Sequence, residues 1–109
     1  MSTDGLDLLQ GTLDVLVLRA LAGKPLHGYA VARFIREGSG EAFKVLDGAL
    51  YTSLHRMEER GWVESEWGTS DKGKRAKFYR ITQAGRRALK AETETWNQYV
   101  AAVAGVMAN

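Results

Sequence analysis

The apolar positions of this chain change period twice, and the changes predict its elements. From Thr12, Leu13, Leu16, Val17, Ala20 and Leu21 recur at helical spacing, with Thr12 as the predicted N-cap. Gly23, Lys24 and Pro25 end that helix, because proline lacks an amide proton and restricts the residue before it. A second helix is predicted in LHGYAVARFIRE, with Tyr29, Ala30, Ala32 (or the stem of Arg33), Phe34 and Ile35 on its buried side and Gly38, Ser39 and Gly40 stopping it. The third, in DGALYTSLHRMEERG, places Leu50, Leu54 and Met57 inward, with Asp47 as N-cap and Gly61 as a left-handed terminator.

The period then becomes two. In WVESEW, Val63, Ser65 and Trp67 alternate with Trp62, Glu64 and Glu66, as in a strand. A polar, glycine-containing stretch over residues 68–75 leads to a second strand, AKFYRI, whose inner face holds Tyr79 and Ile81. Thr82 caps a long last helix reaching about Met107. The expected fold class is therefore mainly α with a two-stranded β wing: a winged helix-turn-helix followed by a long C-terminal dimerisation helix. Residues 1–81 would form the winged-helix unit and residues 82–109 the dimerisation helix of the same compact body, with residues 1–9 as a flexible lead-in.

A chain of 109 residues supports one modest core, and its 45% hydrophobic and 26% charged residues are those of a soluble globular protein. With no cysteine, neither disulfides nor thiolate metal sites are available. Residues 13–21 are apolar but are broken by Asp14 and Arg19 and are too short to span a bilayer. No signal peptide is read at the start, so a cytoplasmic location without membrane contact is expected.

The formal net charge is only +2, yet residues 72–90 hold eight basic side chains (Lys72, Lys74, Arg75, Lys77, Arg80, Arg86, Arg87, Lys90) and no acidic one. Such a block is either a solvated face or a surface that a phosphate backbone can feel, and composition does not decide between them. The third helix offers more. With Leu50, Leu54 and Met57 inward, Ala49, Thr52, Ser53, His55 and Arg56 lie on its sides and outer face, and Tyr51 lies at the margin. Short side chains let a backbone approach a groove, Tyr51 and Thr52 can donate to phosphates, and Arg56 can reach a phosphate or a guanine edge.

GTSDKGKR nearly spells a phosphate-binding loop, with glycines five apart and then Lys74. Arg75 stands where a magnesium-holding hydroxyl belongs, and a strand follows where a helix is required, so a basic wing explains these residues better. His27 and His55 lie on different helices without a metal motif. Glu58, Glu59, Glu64 and Glu66 have no nucleophile beside them. Neither a cofactor nor enzyme activity is expected.

In the last helix, Leu89, Trp96 and Val103 fall seven apart, Glu92, Tyr99 and Val106 mark a second seam, and Val100 lies between them. Pairing with a second copy would cover this stripe and, by twofold symmetry, set two third helices about one DNA turn apart. Trp96 and Tyr99 also make a candidate pocket for a small planar effector.

These residues resemble a known family. QGTLDVLVLRALAGKPLHGYAVARFIRE, then GALYTSLHRMEERGWVESEW, then KRAKFYRITQAGRRAL are similar in order and spacing to the PadR family of bacterial transcriptional regulators, over roughly residues 9–92. The resemblance implies a homodimeric winged-helix repressor on a palindromic operator in double-stranded DNA. It implies that the third helix lies in the major groove, the wing on the backbone, and the last helix in the dimer interface. Tyr51 matches the family's tyrosine at the start of the recognition helix, and Lys74, Arg75 and Lys77 match its basic wing. Tyr29 would pack between helices or touch DNA. The family commonly carries serine at the position of Ala49 and proline at that of Thr52, so base preference would differ here. An adaptor or small-molecule sensor without direct DNA contact is the competing function.

Overall fold

The computed structural model describes residues 11–109, and the lead-in expected over residues 1–9 lies outside them. The elements run α1 (Thr12–Leu21), β1 (Leu26–His27), α2 (Gly28–Gly38), α3 (Asp47–Glu59), β2 (Val63–Thr69), β3 (Arg75–Ile81) and α4 (Gln83–Met107). This is the expected helix-rich winged fold, with one addition. A two-residue strand, β1, pairs antiparallel with β3 through Leu26 opposite Tyr79 and His27 opposite Phe78, so the sheet has three strands in the order β1-β3-β2. Two residues are too short a run to show a period, so the alternation could not reveal β1.

The core forms where three helices meet the inner face of the sheet. Val17, Leu18 and Leu21 of α1, Val31 and Ile35 of α2, and Leu50, Leu54 and Met57 of α3 close on Val63, Tyr79 and Ile81. The inward residues expected of α3 and β3 are buried, and Gly61 takes the left-handed backbone at φ 76° that turns the chain from α3 toward β2. At two N-termini the boundary moves by one residue. Gly11 and Leu46 stand at the cap positions of α1 and α3, and Thr12 and Asp47 are the first helical residues.

The buried side of α2 differs from expectation. Gly28, Ala30, Val31 and Ile35 face inward, whereas Tyr29 and Phe34 are exposed. The helix start is fixed from both sides. β1 holds His27 to β3, and Gly28 lies against the Tyr51 ring, where even a methyl group would collide with the phenol. That orientation presents the stripe Gly28, Val31 and Ile35 to α1 and α3 and turns the two rings outward. His27 caps α2 by accepting a hydrogen bond from the Ala30 N–H at its Nδ1 (3.3 Å), and its ring meets Phe78 edge-on at 5.4 Å.

Thr82 caps α4 as expected: its Oγ1 accepts from the Gly85 N–H (3.0 Å) and donates to the Gly61 carbonyl (2.6 Å). These two hydrogen bonds pin the root of α4 to the α3–β2 turn. Ala88 and Leu89 then pack on the core, and every residue from 91 onward is exposed. A helix of 25 residues is about 37 Å long, and as far as Tyr99 it runs alongside the start of α1. Among the described residues, no helix is long and apolar enough to cross a membrane.

Candidate nucleic-acid interface

The surface predicted for DNA divides into the outer side of α3 and the hairpin of β2 and β3. On α3, Ala49, Tyr51, Thr52 and His55 are exposed, forming a patch with no bulky aliphatic side chain. Ser53 and Arg56 depart from expectation. Ser53 is buried, its Oγ donating to Asp14 Oδ1 at 2.5 Å. Arg56 donates from Nε to Asp14 Oδ2 at 3.2 Å and from Nη2 to Oδ1 at 2.5 Å. The carboxylate of α1 thus receives three hydrogen bonds from one face of α3, and it fixes the two helices in register and in angle. Arg56 therefore differs from expectation in one respect: its guanidinium is engaged within the fold, where it ties α3 to α1. The sequence signal was legible only in part, since Asp14 breaks an otherwise apolar run of α1 without revealing its partner.

In the hairpin, the register Val63–Ile81, Ser65–Tyr79, Trp67–Lys77 and Thr69–Arg75 puts these eight residues on one face of the sheet. Near the root this face is core. Toward the tip the same alternation that buries Val63 leaves Trp67 exposed, with Lys77 and Arg75 around it. The Arg75 guanidinium lies over the Trp67 ring at 4.3 Å, and Lys77 Nζ lies 5.9 Å from the Tyr79 ring. Lys72 and Lys74 are exposed in the tip turn. That turn is closed by the Ser70 N–H donating to the Lys74 carbonyl (2.7 Å) and the Gly73 N–H donating to the Ser70 carbonyl (2.8 Å).

The eight basic residues of the 72–90 stretch do not form one surface. Arg80 points to the other face of the sheet, where Nη2 pairs with Glu64 at 2.6 Å; the hydrogen bond to Glu64, with its charge, holds the guanidinium's pKa above its ordinary value. Arg86 donates to the Ala22 carbonyl at 3.3 Å, and Arg87 and Lys90 belong to α4. Lys72, Lys74, Arg75 and Lys77 remain as the basic wing. Tyr79 links wing and helix. Burial raises its phenol pKa, with Glu58 and Tyr51 of α3 adding to the rise, and Ser65 of β2 donates to Glu58 at 2.6 Å. Tyr79 lies on the same face of the hairpin as Lys77 and Arg75.

The residues expected to form the last-helix seam split as well. Leu89 is half-buried against its own core. Trp96, Tyr99, Val100, Val103 and Val106 are exposed along α4, and Met107 continues the stripe. The Trp96 and Tyr99 rings stack with centroids 6.1 Å apart and planes 21° from parallel. They line an open groove of about 340 Å³ between α4 and the start of α1, with Thr12, Val15, Glu92 and Thr95 as neighbours. Among the described residues, no cluster of metal-ligating side chains is found.

Three helices, a hairpin with a basic tip and a long terminal helix define a winged-helix protein of the kind that regulates transcription. Its family follows from the comparisons: residues 17–91 match the family model "Transcriptional regulator PadR-like family", and the chain belongs to that family of transcriptional regulators. It is 34% identical over 89 residues to the transcriptional regulator Rv3488 of Mycobacterium tuberculosis, covering 82% of this chain and 79% of the relative. The solved PadR family transcription regulator of a hypervirulent Clostridium difficile superposes with a TM-score of 0.74 at 27% identity, over 91% of this chain and all of that one (100%). A transcriptional regulator from Clostridium thermocellum gives 0.80 at 27% identity, over 88% and 93% of the two chains.

Proposed function

We infer that this PadR-family regulator acts as a homodimeric repressor that binds a palindromic operator in double-stranded DNA. The observation that carries the reading is that α3 exposes Tyr51, Thr52 and His55 and packs against β2 of the hairpin that carries Lys72, Lys74, Arg75 and Lys77. The cations supply affinity by neutralising phosphates, and the small and polar side chains of α3, Ala49 included, supply selectivity in the major groove. The apolar stripe of Trp96, Tyr99, Val100, Val103 and Val106 is the surface for the second copy, and α4 serves as the dimerisation helix of an otherwise single winged-helix unit (residues 1–81). A cytoplasmic location follows from this role.

Footprinting on the DNA upstream of the protein's own gene tests it. Two protected half-sites about one helical turn apart, related by inverted sequence, are the expected result. Absence of any salt-sensitive protection would favour a protein-binding adaptor instead.

A second reading, compatible with the first, is a sensor of small planar molecules, favoured by the stacked Trp96 and Tyr99 in their groove. Quenching of tryptophan fluorescence by planar aromatic cations, lost in Trp96→Ala but kept in Trp67→Ala, is the outcome this reading expects.

A further inference from the structure

Trp67 is the unexplained residue of the wing. It is 59% exposed, although an indole at a hairpin tip gains nothing for the core and costs solubility. Its surroundings are not random. Lys77 is its cross-strand partner, Arg75 is its diagonal neighbour with the guanidinium over the ring at 4.3 Å, and both project from the face that leads to Tyr51. The platform beneath is firm. The β2–β3 ladder is continuous from Val63–Ile81 to Thr69–Arg75, and on the reverse face the Phe78 ring covers Gly68 so closely that any side chain there would strike it. A guanidinium stacked on an indole has one face already stripped of water and fewer rotamers to lose, so it arrives at a ligand prepared.

We propose that Trp67 and Arg75 act as a preassembled unit that enters the minor groove beside the site read by α3, with Trp67 as the positioning residue, and that this unit selects A·T-rich flanks. The inference rests on the DNA-binding reading above. Its chemistry is that of a narrow groove: A·T tracts deepen the negative potential that draws arginine in and lack the guanine 2-amino group that would obstruct it. The flat apolar indole edge beside the guanidinium suits the sugar walls of the same groove.

The test uses the full-length protein and duplexes selected by it from a random pool. A selected core site is then flanked by A·T, G·C or inosine·cytosine pairs; inosine keeps the major-groove face of guanine and removes its minor-groove amino group. Wild type is expected to bind the A·T and inosine flanks on the order of fivefold more tightly than the G·C flanks. Trp67→Ala should lose that preference while still discriminating the core site from scrambled DNA, and Trp67→Phe should keep part of it. Trp67→Ala should melt close to wild type, since the side chain is 59% exposed and lies outside the buried core. A structural role alone would move all flanks equally. Full flank preference in Trp67→Ala, or a wild type that reads its core site but is blind to flanks, overturns the proposal while leaving DNA binding intact. Selection that enriches no duplex at all overturns both.

Discussion

Asp14 and Arg56, 42 residues apart in the chain, meet through two hydrogen bonds of 3.2 and 2.5 Å, and the same carboxylate receives Ser53. The Asp14 side chain is 14% exposed and that of Arg56 36%, so the pair is only partly screened by solvent. Asp14→Ala leaves a hydroxyl and a guanidinium without their acceptor. A loss of about 2 kcal/mol is expected after allowing for that screening, seen as a melting temperature lower by about 10 °C. Since α3 then loses its anchor on α1, DNA affinity should fall in Asp14→Asn too, although residue 14 lies away from the wing. Unchanged stability in Asp14→Ala would contradict the anchoring role.

Gly28 and Tyr51 form the second interlocked pair. Gly28→Ala places a methyl group against the phenol, and the half-exposed Tyr51 ring can swing outward to avoid it. The expected consequence is a small stability loss, about 1 kcal/mol or less, with a clear loss of operator affinity. A double-mutant cycle with Tyr51→Ala separates the two effects. If Gly28→Ala acts through Tyr51, the losses in binding do not add; if they add, the glycine acts elsewhere.

Neutralising Lys72 and Lys74 together should weaken binding to operator and to random DNA alike. The slope of log affinity against log salt should shrink by about 1.8, at about 0.9 per phosphate contact. Titration by fluorescence anisotropy across a salt series measures it. An unchanged slope would remove the wing from the interface.

The exposed stripe of α4 should be dispensable for folding and necessary for assembly. Val100→Glu together with Val103→Glu is expected to leave the melting of the domain nearly intact, since both side chains are exposed and lie outside the core. Sedimentation should report monomers, and operator affinity should drop steeply because paired half-sites can no longer be engaged at once. A double variant that remains dimeric would place the interface on another face.

Tyr79 gives a dependence on alkaline pH. Its phenol pKa is raised, first by burial and then by Glu58 and Tyr51, so the folded chain holds this proton more tightly than the unfolded chain does. The contribution is fully present below about pH 10, where both states are protonated, and is lost as pH rises through the folded value. Denaturant unfolding of wild type and Tyr79→Phe at about pH 8 and about pH 10.5 should therefore show the wild type losing more stability at the higher pH. Equal losses would mean that Tyr79 titrates alike in both states.

Much of this molecule is legible in its sequence wherever one side of an element is apolar at a fixed period. Leu50, Leu54 and Met57 announce α3, and Tyr79 and Ile81 announce the inner face of β3. What escapes is set by contacts between distant segments. β1 exists only because Leu26 and His27 find Tyr79 and Phe78. The orientation of α2 follows from Gly28 meeting Tyr51, not from its own apolar positions, which also permit a stripe through Tyr29 and Phe34. Charge was the least legible feature. Arg56, Arg80 and Arg86 look identical in sequence to Arg75, yet each has an acceptor within the fold, and Arg75 has an indole. Trp67 was assigned correctly to the face of Val63. The alternation by itself does not reveal that this face is solvent-exposed at Trp67.

The most direct test of the central claim is a stoichiometric titration of a selected palindromic duplex, with complex mass followed by sedimentation at two salt concentrations. The account predicts two chains per duplex, with affinity falling steeply as salt rises. A protein that stays monomeric at micromolar concentration and leaves the duplex free even at low ionic strength would contradict it.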